Sequence, residues 1–302
     1  MKRHWKDLSL QEKKAYMSRL TLMDDLFMTA VLGSDKACTQ TVIRIIMESD
    51  DLIVEQVTPQ AVLTNLSGHT VRLDILAIDT HGTRFDIEIQ RLSKGASSRR
   101  ARYYSSMLDA AQTIQNQDYD TLHDTRVIFL TEEDVIGLDR QCYRIKRMIV
   151  GEENVVFEDG EQIIYVNCAK QSNGRIGKLA HDFQCPNPDQ MYYDSISATV
   201  RRFKLLYEEE PMNTIEKESS LSRQEIASFW ENHWCEHFRD AYHEGREEGR
   251  EEGLTTLLLQ LMKKDHRSAE SVVADFSFSP EERDRLIAVL NQLASDESEP
   301  QS

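Results

Sequence analysis

The chain has few cysteines, no long apolar run and no overall excess of basic residues, and each shortage excludes a class of protein. Five cysteines (Cys38, Cys142, Cys168, Cys185 and Cys235) are scattered through 302 residues. An odd, dispersed set does not make a disulfide framework, so reduced thiols in a cytoplasm are expected. No apolar stretch approaches the roughly 20 residues that a membrane-spanning helix needs, so no membrane partner is expected. The basic start Met1–Lys6 is followed by none of the apolar sequence that a signal peptide carries. Lysine and arginine total 36 against 52 acids, a net charge of −16. That balance argues against a surface built wholly for nucleic acid.

The acidity is uneven. From residue 207 onward there are 23 acids and 10 bases, a net of −13, which leaves −3 for residues 1–206. A near-neutral N-terminal part has room for a local basic patch. Hydrophobic residues make up 40% of the chain and charged residues 29%, the balance of a folded protein rather than a disordered one.

What is present is organised around residues 71–91. Ile75, Ile78, Phe85, Ile87 and Ile89 favour strands, and the break Asp79–Thr83, with Gly82 in it, reads as a hairpin loop. Side chains alternate along a strand, so Phe85, Ile87 and Ile89 share one face while Asp86, Glu88 and Gln90 share the other. Symmetric pairing about His81 sets Ile78 opposite Arg84 and Asp74 opposite Glu88. Directly opposed residues approach to about 5 Å at Cβ. Two carboxylates so close repel each other. One reading is a hard divalent ion between them, since Mg²⁺ is held by one or two carboxylates plus water and phosphate. The other is a polar strand face open to solvent.

Upstream, Ser9 and Glu12 have capping-box spacing for a helix to about Leu20. Thr21 and Asp24 repeat that spacing for a helix from Leu22 to Leu32, ending at Gly33. A third helix covers about residues 36–48. Asp24 and Asp25 fall in the first turn of the second helix, where the helix dipole favours carboxylates; capping and a part in the metal site both stay open for them. A strand near residues 53–57 or 61–64 precedes the hairpin.

Downstream, residues 91–102 hold five bases and no acid. Ser97 or Ser98 caps a helix to about Gln115, with Ala101, Tyr104, Leu108 and Ala111 as its apolar stripe. Arg99, Arg100 and Arg102 either contact phosphate beside the carboxylates or form a solvated helix face. Thr125–Thr131 and residues 162–168 read as strands, and a helix is expected over 189–206. His181 and Asp182 have two readings, members of a site or packing and capping residues, and base rates for lone histidines favour the second. Helix, strands, hairpin, helix and two strands in that order predict an α/β sandwich around a mixed sheet.

Past Pro211 the pattern is helical. An aromatic-rich segment from Ser222 carries His233 and His237 four apart, with no second cluster to complete a metal site. Glycine then recurs every fourth residue at Gly245, Gly249 and Gly253, and two short helices follow Ser268.

Asp74, with Glu88, Ile89 and Gln90 on the next strand, resembles the PD-(D/E)XK nuclease pattern. Residues 24–27, 73–90, 102–104, 164–167 and 177–183, in that order, together with the Glu-Gly-Arg repeat, are similar to the Rpn-type recombination-promoting nucleases, a branch described as PD-(D/E)XK nuclease family transposases. The resemblance implies a restriction-endonuclease-like mixed β-sheet flanked by helices over residues 21–210. Before it comes an N-terminal helix within 1–20; after it come an all-α region, 211–295, and a disordered tail, 296–302. It implies an endonuclease acting on DNA with Mg²⁺ or Mn²⁺, linked to recombination, mobile elements or phage defence. At the matching positions Asp74 and Glu88 would ligand the metal, the Ile89 carbonyl would add an oxygen, and Asp24 would join directly or through water. Gln90 stands where the general pattern has lysine. Its amide orients a water or a phosphate but carries no charge to stabilise a developing anion. A non-catalytic binding module, self-associating through its C-terminal helices, is the alternative, and no residue singles out DNA over RNA.

Overall fold

The computed structural model describes residues 8–64, 70–91, 93–112, 118–151, 155–205 and 268–273, with isolated positions at 283, 286, 287 and 290. The chain divides into two compact units, Met1–His233 and Trp234–Ser302. In the second, the described segment is one short helix, Ala269–Val273. The aromatic segment, the His233–His237 pair and the glycine repeat lie outside the described residues.

The first unit opens with α1 (Leu10–Arg19), and both halves of its capping box form: Ser9 Oγ accepts the Glu12 N–H at 3.2 Å, and Glu12 Oε2 accepts the Ser9 N–H at 2.8 Å. α2 (Asp25–Ser34) is capped by Asp24 rather than Thr21, and it runs through Gly33 instead of stopping there. Gly33 serves a close approach: a Cβ built on it would lie 2.7 Å from Pro59 Cβ. The chain turns at Asp35, which also caps α3 (Lys36–Met47) by accepting the N–H groups of Ala37 and Cys38.

Six strands follow: β1 (Val54–Thr64), β2 (Thr70–Asp79), β3 (Arg84–Gln90), β4 (Thr125–Thr131), β5 (Cys142–Ile145) and β6 (Glu161–Asn167). They form one mixed sheet in the order β1-β2-β3-β4-β6-β5. The two alternatives for the strand before the hairpin are a single strand that passes through Pro59. Proline is tolerated because β1 is an edge strand. The hairpin has the expected register, with Ile78 opposite Arg84 and Ile75 opposite Ile87. β3, β4 and β6 are parallel, and β5 pairs antiparallel on the far edge.

α4 (Ser98–Gln112) connects β3 to β4 and packs on β1, β4 and β6. Its Ala101, Tyr104, Met107 and Leu108 join Leu76, Val127, Phe129 and Tyr165 of the sheet in one apolar cluster. Ala111, placed in the stripe by spacing, is exposed. α2 and α3 pack on β1, and α5 (Arg175–Gln184) packs on β6. α5 gave no start signal in the sequence, because its N-cap is Gly174 and its first turn holds no acid. α6 (Asp194–Lys204) starts later than expected, since Pro188–Gln190 forms a separate 3₁₀ turn before it. No helix among the described residues is long and apolar enough to cross a membrane. The four described cysteines are free thiols.

Candidate active site

Strand pairing between β2 and β3 ends at Ile75–Ile87. At the next position two carboxylates take over from the backbone. Glu88 Oε1 accepts the Asp74 N–H at 3.0 Å, and Asp74 Oδ2 accepts the Ile89 N–H at 3.0 Å. β3 meanwhile stays in register with β4, Glu88 beside Phe129 and Gln90 beside Thr131. One neighbour therefore holds β3 in place while the other parts from it, and the acids sit in the fork.

α4 closes the fork from the side. The Ser97 hydroxyl accepts the Arg100 N–H at 3.3 Å, starting the helix so that Arg100 faces the sheet. Arg100 Nη2 donates to Glu88 Oε2 at 3.3 Å, and its Nε donates to the Tyr104 hydroxyl at 3.0 Å. The guanidinium carbon lies 4.9 Å from the Tyr104 ring centroid, a cation–π distance. Tyr104 is itself held by its ring neighbour Phe129, 6.4 Å away between centroids, which stacks on Tyr165 at 5.3 Å. The Tyr165 hydroxyl donates to the Ala96 carbonyl and so ties the turn before α4 to β6.

The solvated reading of the polar strand face does not hold. Asp86 and Glu88 are both 0% exposed, because the α4 cluster covers the face they share. Alternation along β3 gave the right side but could not reveal the lid over it. Asp86 escaped notice for that reason. It is buried opposite Leu76 and beside Val127, and its carboxyl oxygens receive no N–H donor and interact with the carboxyl of Glu88. Buried oxygens without such a donor are rare and costly.

The electrostatics follow from this crowding. Burial, then Glu88 and Asp25, push the Asp74 carboxyl well above the usual range. Burial and Asp74 do the same to Asp86, and burial and Asp86 to Glu88. Arg100 opposes all three shifts. Burial disfavours its own charge, but Tyr104 and Glu88 outweigh that and hold it above its ordinary value. Burial and Glu88 push the Tyr104 hydroxyl up to about 12. A fixed positive charge is what such a group of acids calls for.

The residues singled out from the sequence separate into two groups. Asp74, Glu88, Ile89 and Gln90 come together, with Arg100 against them. Gln90 ends β3 half-buried, and its amide fills the space beside Gly95: a Cβ on Gly95 would lie 1.8 Å from Gln90 Oε1. Arg99 and Arg102 are exposed on the outer side of α4. Asp24 is the α2 cap, its Oδ1 accepting the Phe27 N–H at 3.1 Å, and Asp25 is the acid of that pair whose charge reaches Asp74.

Among the described residues no three histidine, cysteine, aspartate or glutamate side chains converge into a preformed metal cage. The donors in the fork are nevertheless all oxygen, two carboxylates with main chain beside them, which suits a hard cation that completes its shell with water and substrate. Asp86 beside them adds a third buried carboxyl, which in the absence of a cation is driven toward its protonated form.

Residues 36–179 match the family model of the PD-(D/E)XK nuclease family transposases. The mixed six-stranded sheet flanked by helices is consistent with the restriction-endonuclease-like fold of that family, and the match supports a nuclease-type function. No curated protein and no solved structure matches the chain.

Proposed function

Because residues 36–179 match the family model of the PD-(D/E)XK nuclease family transposases, we propose that the protein hydrolyses phosphodiester bonds of DNA with Mg²⁺ or Mn²⁺, in a role tied to recombination, mobile elements or phage defence. The observation that carries this reading is the fork, where Glu88 accepts the Asp74 N–H and Asp74 accepts the Ile89 N–H within one acidic cluster. Asp74, Glu88 and the Ile89 carbonyl hold the cation. When bound, the cation polarises the scissile phosphate and makes water a competent nucleophile near neutral pH. Gln90 orients that water through its amide. Arg100 neutralises the fork, and Arg99 and Arg102, on the exposed side of α4, bind backbone phosphates. Asp24 keeps its place as the α2 cap, while Asp25 adds negative charge next to Asp74. The C-terminal region joins copies of the chain.

Plasmid DNA incubated with wild type and with Glu88→Gln, each in Mg²⁺ or in EDTA, tests the reading. Cutting by wild type in Mg²⁺ only, lowered at least about a hundredfold in the variant, is expected. Equal cutting in every condition excludes it. One observation favours a second reading, a nuclease-fold module that binds without cutting: Gln90 supplies no charge where lysine would. That module would still bind DNA after Asp74→Asn and would cut nothing.

A further inference from the structure

Both oxygens of Glu88 are in use, and their partners differ in kind. Oε1 accepts a main-chain N–H of β2, which cannot leave without unpicking the strand. Oε2 accepts from the tip of a long side chain, Arg100, whose side chain keeps 36% of its exposure while Glu88 keeps none. A divalent ion in the fork and a guanidinium on Oε2 would place two positive centres on one carboxylate. The weaker-held of the two has to give way, and the partly exposed ion pair is the weaker.

Where Arg100 goes is restricted by its tether. Nε is bonded to the Tyr104 hydroxyl and the guanidinium lies over the Tyr104 ring, while Tyr104 is buried beside Phe129. The planar guanidinium moves as one piece, so this contact limits how far its outer nitrogens can swing from Glu88. Nη1 already lies near Gly95, 3.7 Å from where a Cβ there would stand, and Gln90 Oε1 lies 1.8 Å from that same point.

We propose that Arg100 has two stations: on Glu88 it stands in for the cation, and on cation binding it pivots about Tyr104 to receive the substrate phosphate beside Gln90. This rests on the function proposed above and deepens it, because it makes cation binding and phosphate capture one exchange. Arginine suits the second station, since its planar fork of donors matches phosphate oxygens. It also gives α4 a role that exposed arginines on its outer side do not have: a charge that is kept inside the fork until substrate chemistry needs it.

The test measures Mn²⁺ binding by calorimetry without DNA, and binding of a short labelled DNA duplex in Ca²⁺, for wild type, Arg100→Gln, Tyr104→Phe and Glu88→Gln. Removing the competing guanidinium should tighten Mn²⁺ binding by about fivefold in Arg100→Gln, and weaken duplex binding. Tyr104→Phe keeps the ring and loses only the tether, so it should tighten Mn²⁺ by a smaller factor. An arginine that merely braces the fold would lower the melting temperature and leave Mn²⁺ binding unchanged or weaker, and that result in both variants overturns the inference. Should Glu88→Gln abolish Mn²⁺ binding while Arg100→Gln leaves it unmoved, the inference fails alone. Wild type that shows no Glu88-dependent Mn²⁺ binding overturns the proposed function and the exchange with it.

Discussion

The two ends of the β2–β3 hairpin use the same residue type to opposite effect. At the turn, Asp79 is 5% exposed, yet its Oδ1 accepts the N–H groups of His81 at 2.9 Å and Thr83 at 2.8 Å. Gly82, at φ +80°, lets the loop close against His123. The strands beyond it pair without a break. At the other end pairing stops, Asp74 and Glu88 reach across the gap, and the buried Asp86 carboxyl takes no backbone N–H. Burial of a carboxylate is therefore not the mark of a site. What separates the ends is whether local backbone uses up the oxygens, as it does around Asp79, or leaves a cluster of acids needing charge from elsewhere.

Three substitutions would break or sharpen that contrast. The largest effect is expected at the fork from Gly95→Ala. Its Cβ would meet the far end of the flexible Gln90 side chain, so the amide moves and the fold does not. Misplacing a positioned group by about 1 Å costs up to roughly a hundredfold in rate, and a loss on the order of tenfold in cleavage is expected. Plasmid nicking rates and a thermal melt decide it: an unchanged rate removes Gln90 from the reaction.

Asp86→Asn should have an intermediate effect, on stability. The raised carboxyls at Asp74, Asp86 and Glu88 lie above their unfolded values. The folded state therefore keeps protons that the unfolded chain has released, and stability falls as pH rises from about 4 through the folded values. In EDTA the wild type should resist urea better at pH 5 than at pH 8. Asp86→Asn should lessen that difference and add about 1–3 kcal/mol at pH 8, the usual cost of an unmet buried polar group. Mg²⁺ should lessen it in wild type. A wild-type profile that rises with pH in EDTA would contradict the assignment.

The smallest effect belongs to the turn. Asp79→Ala removes two hydrogen bonds and should cost about 1–2 kcal/mol in urea melts. Cleavage by the folded variant should match wild type; a loss of cleavage would mean the two ends are coupled.

The hairpin register was legible because loop symmetry and strand alternation are local properties. Asp74 and Glu88 followed from it directly, and the family pattern agreed. What was not legible depends on segments far apart in the chain. The lid over Asp86 comes from α4, so the strand's own polar face looked solvated. Gly33 looked like a helix stop because its neighbour, Pro59, lies in another element. Arg99, Arg100 and Arg102 are alike in sequence, and only the docking angle of α4 sends Arg100 inward and the other two out. Asp24 and Asp25 are likewise adjacent, and only the start of α2 decides which one becomes the cap.

Pro59 has a consequence beyond its contact with Gly33. An exposed sheet edge invites another chain to extend it, through unpaired N–H and C=O groups. Along β1 the proline has no N–H to offer, the Val54–Gln56 bulge bends the strand, and Gln60 adopts φ 50°. The opposite edge, β5, is four residues long. Both borders are thus poor templates for growth of the sheet, and the edges of this fold resist extension by a seventh strand.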